Sequence, residues 1–285
     1  VSFIDINQSN LADELLVAES LLCQGEDDQA LELLHSLADD AESYIAANCE
    51  GSAHDQWFSF NDMFEHLAYA RLENDPRTIH DVSEPISRMY ADLALAYAHK
   101  DNKELAREAL KQAVRWNPLD CAARLNLADV YRLLGNHDEY LALSYSVLER
   151  ASYVDHLARA FCNFVALYRD KGDTDVAAAL THVIKRLDAR DGRVCALIHE
   201  VADTDLDADR LSDAQAHELL EQNQLPDGAN ADIVLCLLTA AEIQRKHGDD
   251  HEATNLTLRA VHLVGEDMVY KLLDELRQNA ESEQN

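Results

Sequence analysis

Glycine and proline are scarce in this chain, eight and four among 285 residues. Architectures built of short strands and tight turns draw heavily on both, so their scarcity favours helix. No segment alternates apolar and polar residues for the length that a half-buried strand needs. Basic side chains are few as well, 24 against 54 acidic ones, for a formal charge of −30. A protein of that sign is repelled by nucleic acid and by anionic membrane surfaces. The six cysteines (Cys23, Cys49, Cys121, Cys162, Cys195, Cys236) are irregularly spaced, with no C-x-x-C pair. This argues against a zinc ribbon or a disulfide framework and fits buried thiols in a reducing, cytoplasmic compartment. The longest apolar stretch, 233–241, is too short to span a bilayer, and no charged-then-apolar leader opens the chain. Val1 rather than Met stands first, which leaves room for a removed leader or an upstream domain.

The acidic charge is unevenly placed. Residues 1–84 hold 2 basic and 19 acidic side chains, a balance of −17, and residues 199–285 hold 6 and 20, a balance of −14. The 85–198 segment between them holds 16 and 15, close to neutral.

Catalytic signatures are missing. There is no H-E-x-x-H, no glycine-rich phosphate loop and no G-x-S-x-G elbow. His199-Glu200 lacks a second histidine. His247 and His251 are four apart, but Gly248-Asp249-Asp250 between them reads as a turn. The run Asp203, Asp205, Asp207, Asp209 has a calcium-loop rhythm. Counted from Asp203, however, Ala208 stands where the loop needs Gly, and Ala214 where it needs a bidentate Glu. The run reads instead as a solvated connector. No metal, no cofactor and no enzymatic activity is expected.

Helical periodicity fills the space these absences leave. Tyr90, Leu93, Ala94 and Tyr97 share one helical face, and Lys100–Lys103 is polar turn chemistry. Leu105, Ala106, Ala109, Leu110 and Ala113 then form a second stripe, ended by Asn117-Pro118. Thirty-four residues on from Leu93, Ala94 and Tyr97 stand Leu127, Ala128 and Tyr131. A third copy, three residues late, has Phe161, Phe164, Val165 and Tyr168.

The pattern Tyr90-x2-Leu93-Ala94-x2-Tyr97, then Ala106-x3-Leu110, then Pro118 resembles the tetratricopeptide repeat. The order of parts is also similar to bacterial tetratricopeptide-repeat proteins of unknown function. They share the aromatic-rich helix before the best repeat, the Trp116-Asn117-Pro118 repeat end and a Pro/Gly break before the last helical pair. The resemblance implies an all-α fold, an α-solenoid of antiparallel helix pairs coiled as a right-handed superhelix, with degenerate terminal repeats.

Three segments follow. Residues 1–84 form an acidic helical segment, with a short lead-in over 1–8, a degenerate repeat from Asn10 to about Ala47 and an aromatic-rich helix over 55–74. Residues 85–192 form a central array of three repeats. Residues 193–285 form a second acidic segment, with a degenerate pair (233–246 and 251–263), a capping helix over 266–277 and a frayed 280–285. The helix over 55–74 carries Trp57, Phe58, Phe60 and Phe64 and is expected to fasten the N-terminal pair onto the array.

In tetratricopeptide domains, a stripe on each first helix lines a concave groove where peptides bind. Carried over by position, the resemblance assigns Arg88, Leu95, Leu125, Asn126, Asp129, Arg132, Arg159, Asn163 and Arg169 to that groove. Asn126 and Arg159 match positions of the carboxylate clamp that holds chaperone C-termini. Ala91, Leu95 and Asn163 depart from it, so a true clamp is not expected. Four arginines among small and apolar residues fit a partly acidic peptide, unless acids of the chain itself answer them. The expectation is a non-enzymatic module that binds a protein or peptide partner, with no nucleic acid and no membrane. The alternative is a self-associating structural or regulatory repeat protein without a peptide groove, in which acidic arms dock on neutral repeats of another copy. Partner identity and oligomeric state are not legible.

Overall fold

Leu11, Leu15, Ala18 and Leu22 recur every three or four residues, and they are the buried stripe of the first helix. This spacing recurs along a computed structural model that describes residues 11–283. Among the described residues are fourteen α-helices and two short strands, a helical-repeat fold of antiparallel pairs. The chain divides into two compact units, Val1–Tyr140 and Leu141–Asn285.

The first unit opens with α1 (Leu11–Gln24) and α2 (Asp27–Asn48), paired with each other and packed against α4 (Ile86–His99). The α4 helix pairs in turn with α5 (Lys103–Trp116), and α5 packs on α6 (Cys121–Leu133). Ala94, Ala106, Ala113 and Ala128 are all buried at these crossings, where small side chains let backbones approach. The α7 helix (His137–Arg150) begins at the end of this unit and continues into the second.

In the second unit, α8 (Val154–Lys171) pairs with α9 (Thr174–Leu187), flanked by α10 (Gly192–Val201) and α11 (Asp213–Gln222). The α12 helix (Ala231–His247) pairs with α13 (Asp250–Val264), and α14 (Glu266–Glu283) packs on α13. The last helix runs past Arg277 to Glu283, and the expected lead-in over 1–8 and the last two residues of the expected frayed end lie outside the described residues.

One turn closes the first helix of five hairpins. The Asn102, Asn136 and Asp173 amides each donate to the carbonyl five residues back, on Tyr97, Tyr131 and Tyr168, all at 2.9 Å. Glu26 to Leu21 at 2.9 Å and Asp249 to Gln244 at 3.0 Å repeat the bond in the outer pairs. The residue before each donor is left-handed: Gly25, Asp101, Gly135, Gly172 and Gly248, with φ of 77°, 55°, 80°, 75° and 85°. This is the six-to-one closure of a Schellman motif, which satisfies a helix-end carbonyl. In four of the five hairpins the left-handed residue is glycine, which adopts that φ without a Cβ penalty. Asn102, Asp173 and Asp249 then cap the following helix by accepting from Leu105, Val176 and Glu252. The three tyrosines occupy equivalent slots, and the degenerate pairs at 11–48 and 231–264 are built on the same hairpin.

The segment expected as one helix over 55–74 is different. Asp55–Phe58 is a strand, β1, followed by α3 (Met63–Glu73) and a second strand, β2 (Thr78–Asp81), parallel to β1. The register pairs Asp55 with Thr78 and Phe58 with Asp81. Aromatic residues suit a pleated surface, and burial alternates along Gln56, Trp57 and Phe58. Asp62 starts the helix late by capping it, its carboxylate accepting from the Glu65 amide at 2.9 Å. β2 lies beyond the end of the expected helix, in the stretch that leads to α4. The unit therefore holds a strand–helix–strand insert between its first two helix pairs.

Candidate functional site

The groove residues assigned from the first helices fall on both units, six on the first and three on the second. On α4, Leu95 is 45% exposed, and Arg88 and Ala98 face solvent beside it. On α6, Asn126 and Arg132 are exposed and Asp129 is half-buried. Leu125 is 1% exposed, so it belongs to packing and is removed from the candidate surface. The physical reason is that the core face of α6 is broad: Cys121, Ala123, Leu125, Leu127, Ala128 and Val130 are all buried.

The arginines are largely answered from within. Arg88 is held by Glu19 of α1. Arg132 stands 3.8 Å from Asp129, one turn back on its own helix. In the second unit, Arg169 pairs with Glu200 of α10 at 3.0 Å. Asn163 donates to Ser144 at 2.9 Å, an internal polar bond. Arg159 is half-buried beside Cys162, whose thiol is pushed up to about 12 by burial. Acids of the two arms therefore meet basic groups of the repeats next to them. Lys100 to Asp28 at 2.6 Å and His99 to Asp27 at 2.7 Å extend the pattern.

The contact of the first arm with α4 contains a second carboxyl. Asp92 lies against Glu19 and Arg88, and one of its oxygens is buried without a partner. Burial, reinforced by the nearby Glu19 carboxylate, raises Asp92 to about 7. Tyr97 meets His35 of α2 at 2.7 Å.

Sequence reasoning missed a buried polar junction at the end of α5. Glu65 accepts from the Asn61 amide at 2.6 Å and from the Asn117 side chain at 2.7 Å. Burial lifts its carboxyl to about 7, against the pull of those donors. The Ser59 amide donates to the Trp116 carbonyl at 2.8 Å, and Arg115 donates to the Trp57 carbonyl at 3.2 Å. Trp116-Asn117-Pro118 is thus where the insert joins the helix pair. The spacing Asp62-x-x-Glu65, a helix-start signature, was the available signal.

Residues 203–209 form a self-capped turn. Asp207 accepts from the Asp203 amide at 2.7 Å and from the Asp209 amide at 2.8 Å. His247 ends α12 and His251 lies in the first turn of α13, with left-handed Gly248 between them.

A tetratricopeptide-repeat family model matches residues 87–118. This stretch is a tetratricopeptide repeat. The match covers α4, the Tyr97–Asn102 turn, α5 and the Asn117-Pro118 end. No curated protein matches the chain closely enough to lend it an activity. Tetratricopeptide repeats are a fold of protein interaction, and among the described residues no helix is long and apolar enough to cross a membrane.

Proposed function

We propose that this protein is a non-enzymatic interaction module that binds a protein or peptide segment on the first-helix face of its tetratricopeptide repeats. The observation carrying this reading is Leu95. It is a large apolar side chain, 45% exposed, on the α4 position that faces the groove in such repeats. On α6, Asn126 and Arg132 supply exposed polar groups on the same class of face. Apolar contact flanked by a few hydrogen-bonding groups is the composition that peptide grooves use.

The partly acidic partner suggested by four arginines loses support, because Arg88, Arg132 and Arg169 each stand against a carboxylate of the same chain. The self-association reading loses support for a related reason. The acidic arms that were to dock on another copy already make such pairs within their own chain. A cytoplasmic location remains part of the proposal, supported by free thiols at all six cysteines.

The test is a paired substitution, Leu95→Asp with Arg132→Glu, assayed by affinity capture from native lysate with circular dichroism as the folding control. Loss of the captured partner with unchanged helicity supports the reading. Undiminished capture removes the first-helix face from consideration.

A further inference from the structure

The insert carries a sheet of two strands only, a size that is marginal without further cover. Its two edges are treated differently. In a parallel pair, alternate residues turn their N–H and C=O groups toward the neighbour, and the others turn them away. The Thr78 and Val82 amides donate to His54 and Phe58, so residues 78, 80 and 82 face β1. On β1 the outward groups belong to Asp55, Trp57 and Ser59, and all three are answered. The Asp55 carbonyl accepts from Ser52, the Trp57 carbonyl from Arg115, and the Ser59 amide donates to Trp116.

On β2 the outward groups belong to Ile79 and Asp81. Among the described residues, no partner is made by the backbone N–H or C=O of either, and no third strand pairs with β2. The chain closes one edge of the ribbon with three separate devices and leaves the other open.

We infer that the outer edge of β2 is a docking site for an extended, basic segment of a partner protein, which adds as a third strand. Backbone hydrogen bonds to Ile79 and Asp81 supply the attachment, as in other cases of strand addition. The sign of the partner follows from the surroundings, because residues 50–84 hold eight acidic and two basic side chains. One of those two, Arg77, is already held by Asp75. Lysine or arginine on the added strand therefore meets a field of opposite sign. The strand also has a side-chain reader. Trp57 and His80, opposite each other in register, stack with ring centroids 4.5 Å apart on the face turned away from Phe58 and Tyr69. An apolar residue of the added strand opposite His80 extends that ladder. This surface is separate from the first-helix face and does not depend on it.

The experiment uses the full chain and two synthetic probes, a capped peptide alternating lysine with valine and its twin N-methylated at alternate residues. The twin keeps the charge and removes the amide donors. Amide exchange is followed by NMR. In the free protein the Ile79 and Asp81 amides exchange faster than those of His80 and Val82. The first peptide slows them by at least about tenfold, and the twin leaves them unchanged. Three results overturn the inference. Equal protection by both peptides means charge attraction alone. Protection of Ile79 and Asp81 in the free monomer means the edge is already closed. Protection that grows with protein concentration alone means the occupant is a second copy of this chain.

Discussion

Asn117 donates its side-chain amide to Glu65 across 2.7 Å, and this bond ties the Trp-Asn-Pro end of a tetratricopeptide repeat to a strand–helix–strand insert. Both groups are buried, Asn117 completely. A neutral donor in a desolvated place steadies the carboxylate but does not recover the hydration it has lost.

The first prediction concerns pH. Glu65 is raised from 4.5 to about 7, mainly by burial. A folded-state value above the unfolded one means that the fold favours the protonated form. Its stabilising contribution is complete below pH 4.5 and is lost as pH rises through about 7, at a cost of roughly 3 kcal/mol. Glu65→Gln removes this dependence. In urea melts at pH 5.5 and pH 8, the wild type should lose more stability than the variant on going to pH 8. Parallel losses would contradict the assignment.

Asp92 makes a related prediction at the contact of α1 with α4. It is raised from 3.8 to about 7 by burial and by Glu19. Its contribution is likewise lost as pH rises through about 7. Asp92→Asn should therefore gain stability on the wild type at pH 8 and little at pH 5.5. Glu65 and Asp92 share no hydrogen-bond partner, so the two effects should add. Differential scanning calorimetry of the double variant checks this.

A third prediction tests the repeated turn. Gly135 has φ of 80° and open space where a Cβ would stand, so Gly135→Ala costs only the strain of a left-handed residue, about 1 kcal/mol. Asp101 fills the equivalent slot at 55° with a side chain, and Asp101→Gly should be neutral or stabilising. Urea midpoints moving in those opposite directions would support five equivalent hairpins.

Much of this architecture was legible, for specific reasons. Tyr97, Tyr131 and Tyr168 could be aligned because the turn after each is fixed by local chemistry: a left-handed residue followed by Asn or Asp. The outer pairs were found through Gly25 and Gly248, which mark the same turn. The insert was not found, because Trp57, Phe58, Phe60 and Phe64 fit helical spacing as readily as strand. The parallel pairing of β1 with β2 is a long-range fact that periodicity does not carry. The candidate surface was legible only as positions. That Leu125 turns inward, and that Glu19 and Glu200 reach Arg88 and Arg169, depends on helix neighbours that no local pattern specifies.

A fourth prediction addresses close packing. Ala128 is fully buried in α6, at a position where every copy carries a small residue or valine. Ala128→Leu should cost about 1–3 kcal/mol by overpacking, read as a lowered melting temperature. An unchanged melting temperature would mean the helices do not approach closely there.

The interaction reading itself is tested most directly by site-specific photo-crosslinking. A photoreactive residue is placed in turn at Leu95, at Asn126 and at Gln112, an exposed position on the second helix α5. The account predicts the same partner adduct from Leu95 and Asn126 and none from Gln112. An adduct from Gln112 with none from Leu95 or Asn126 would contradict it.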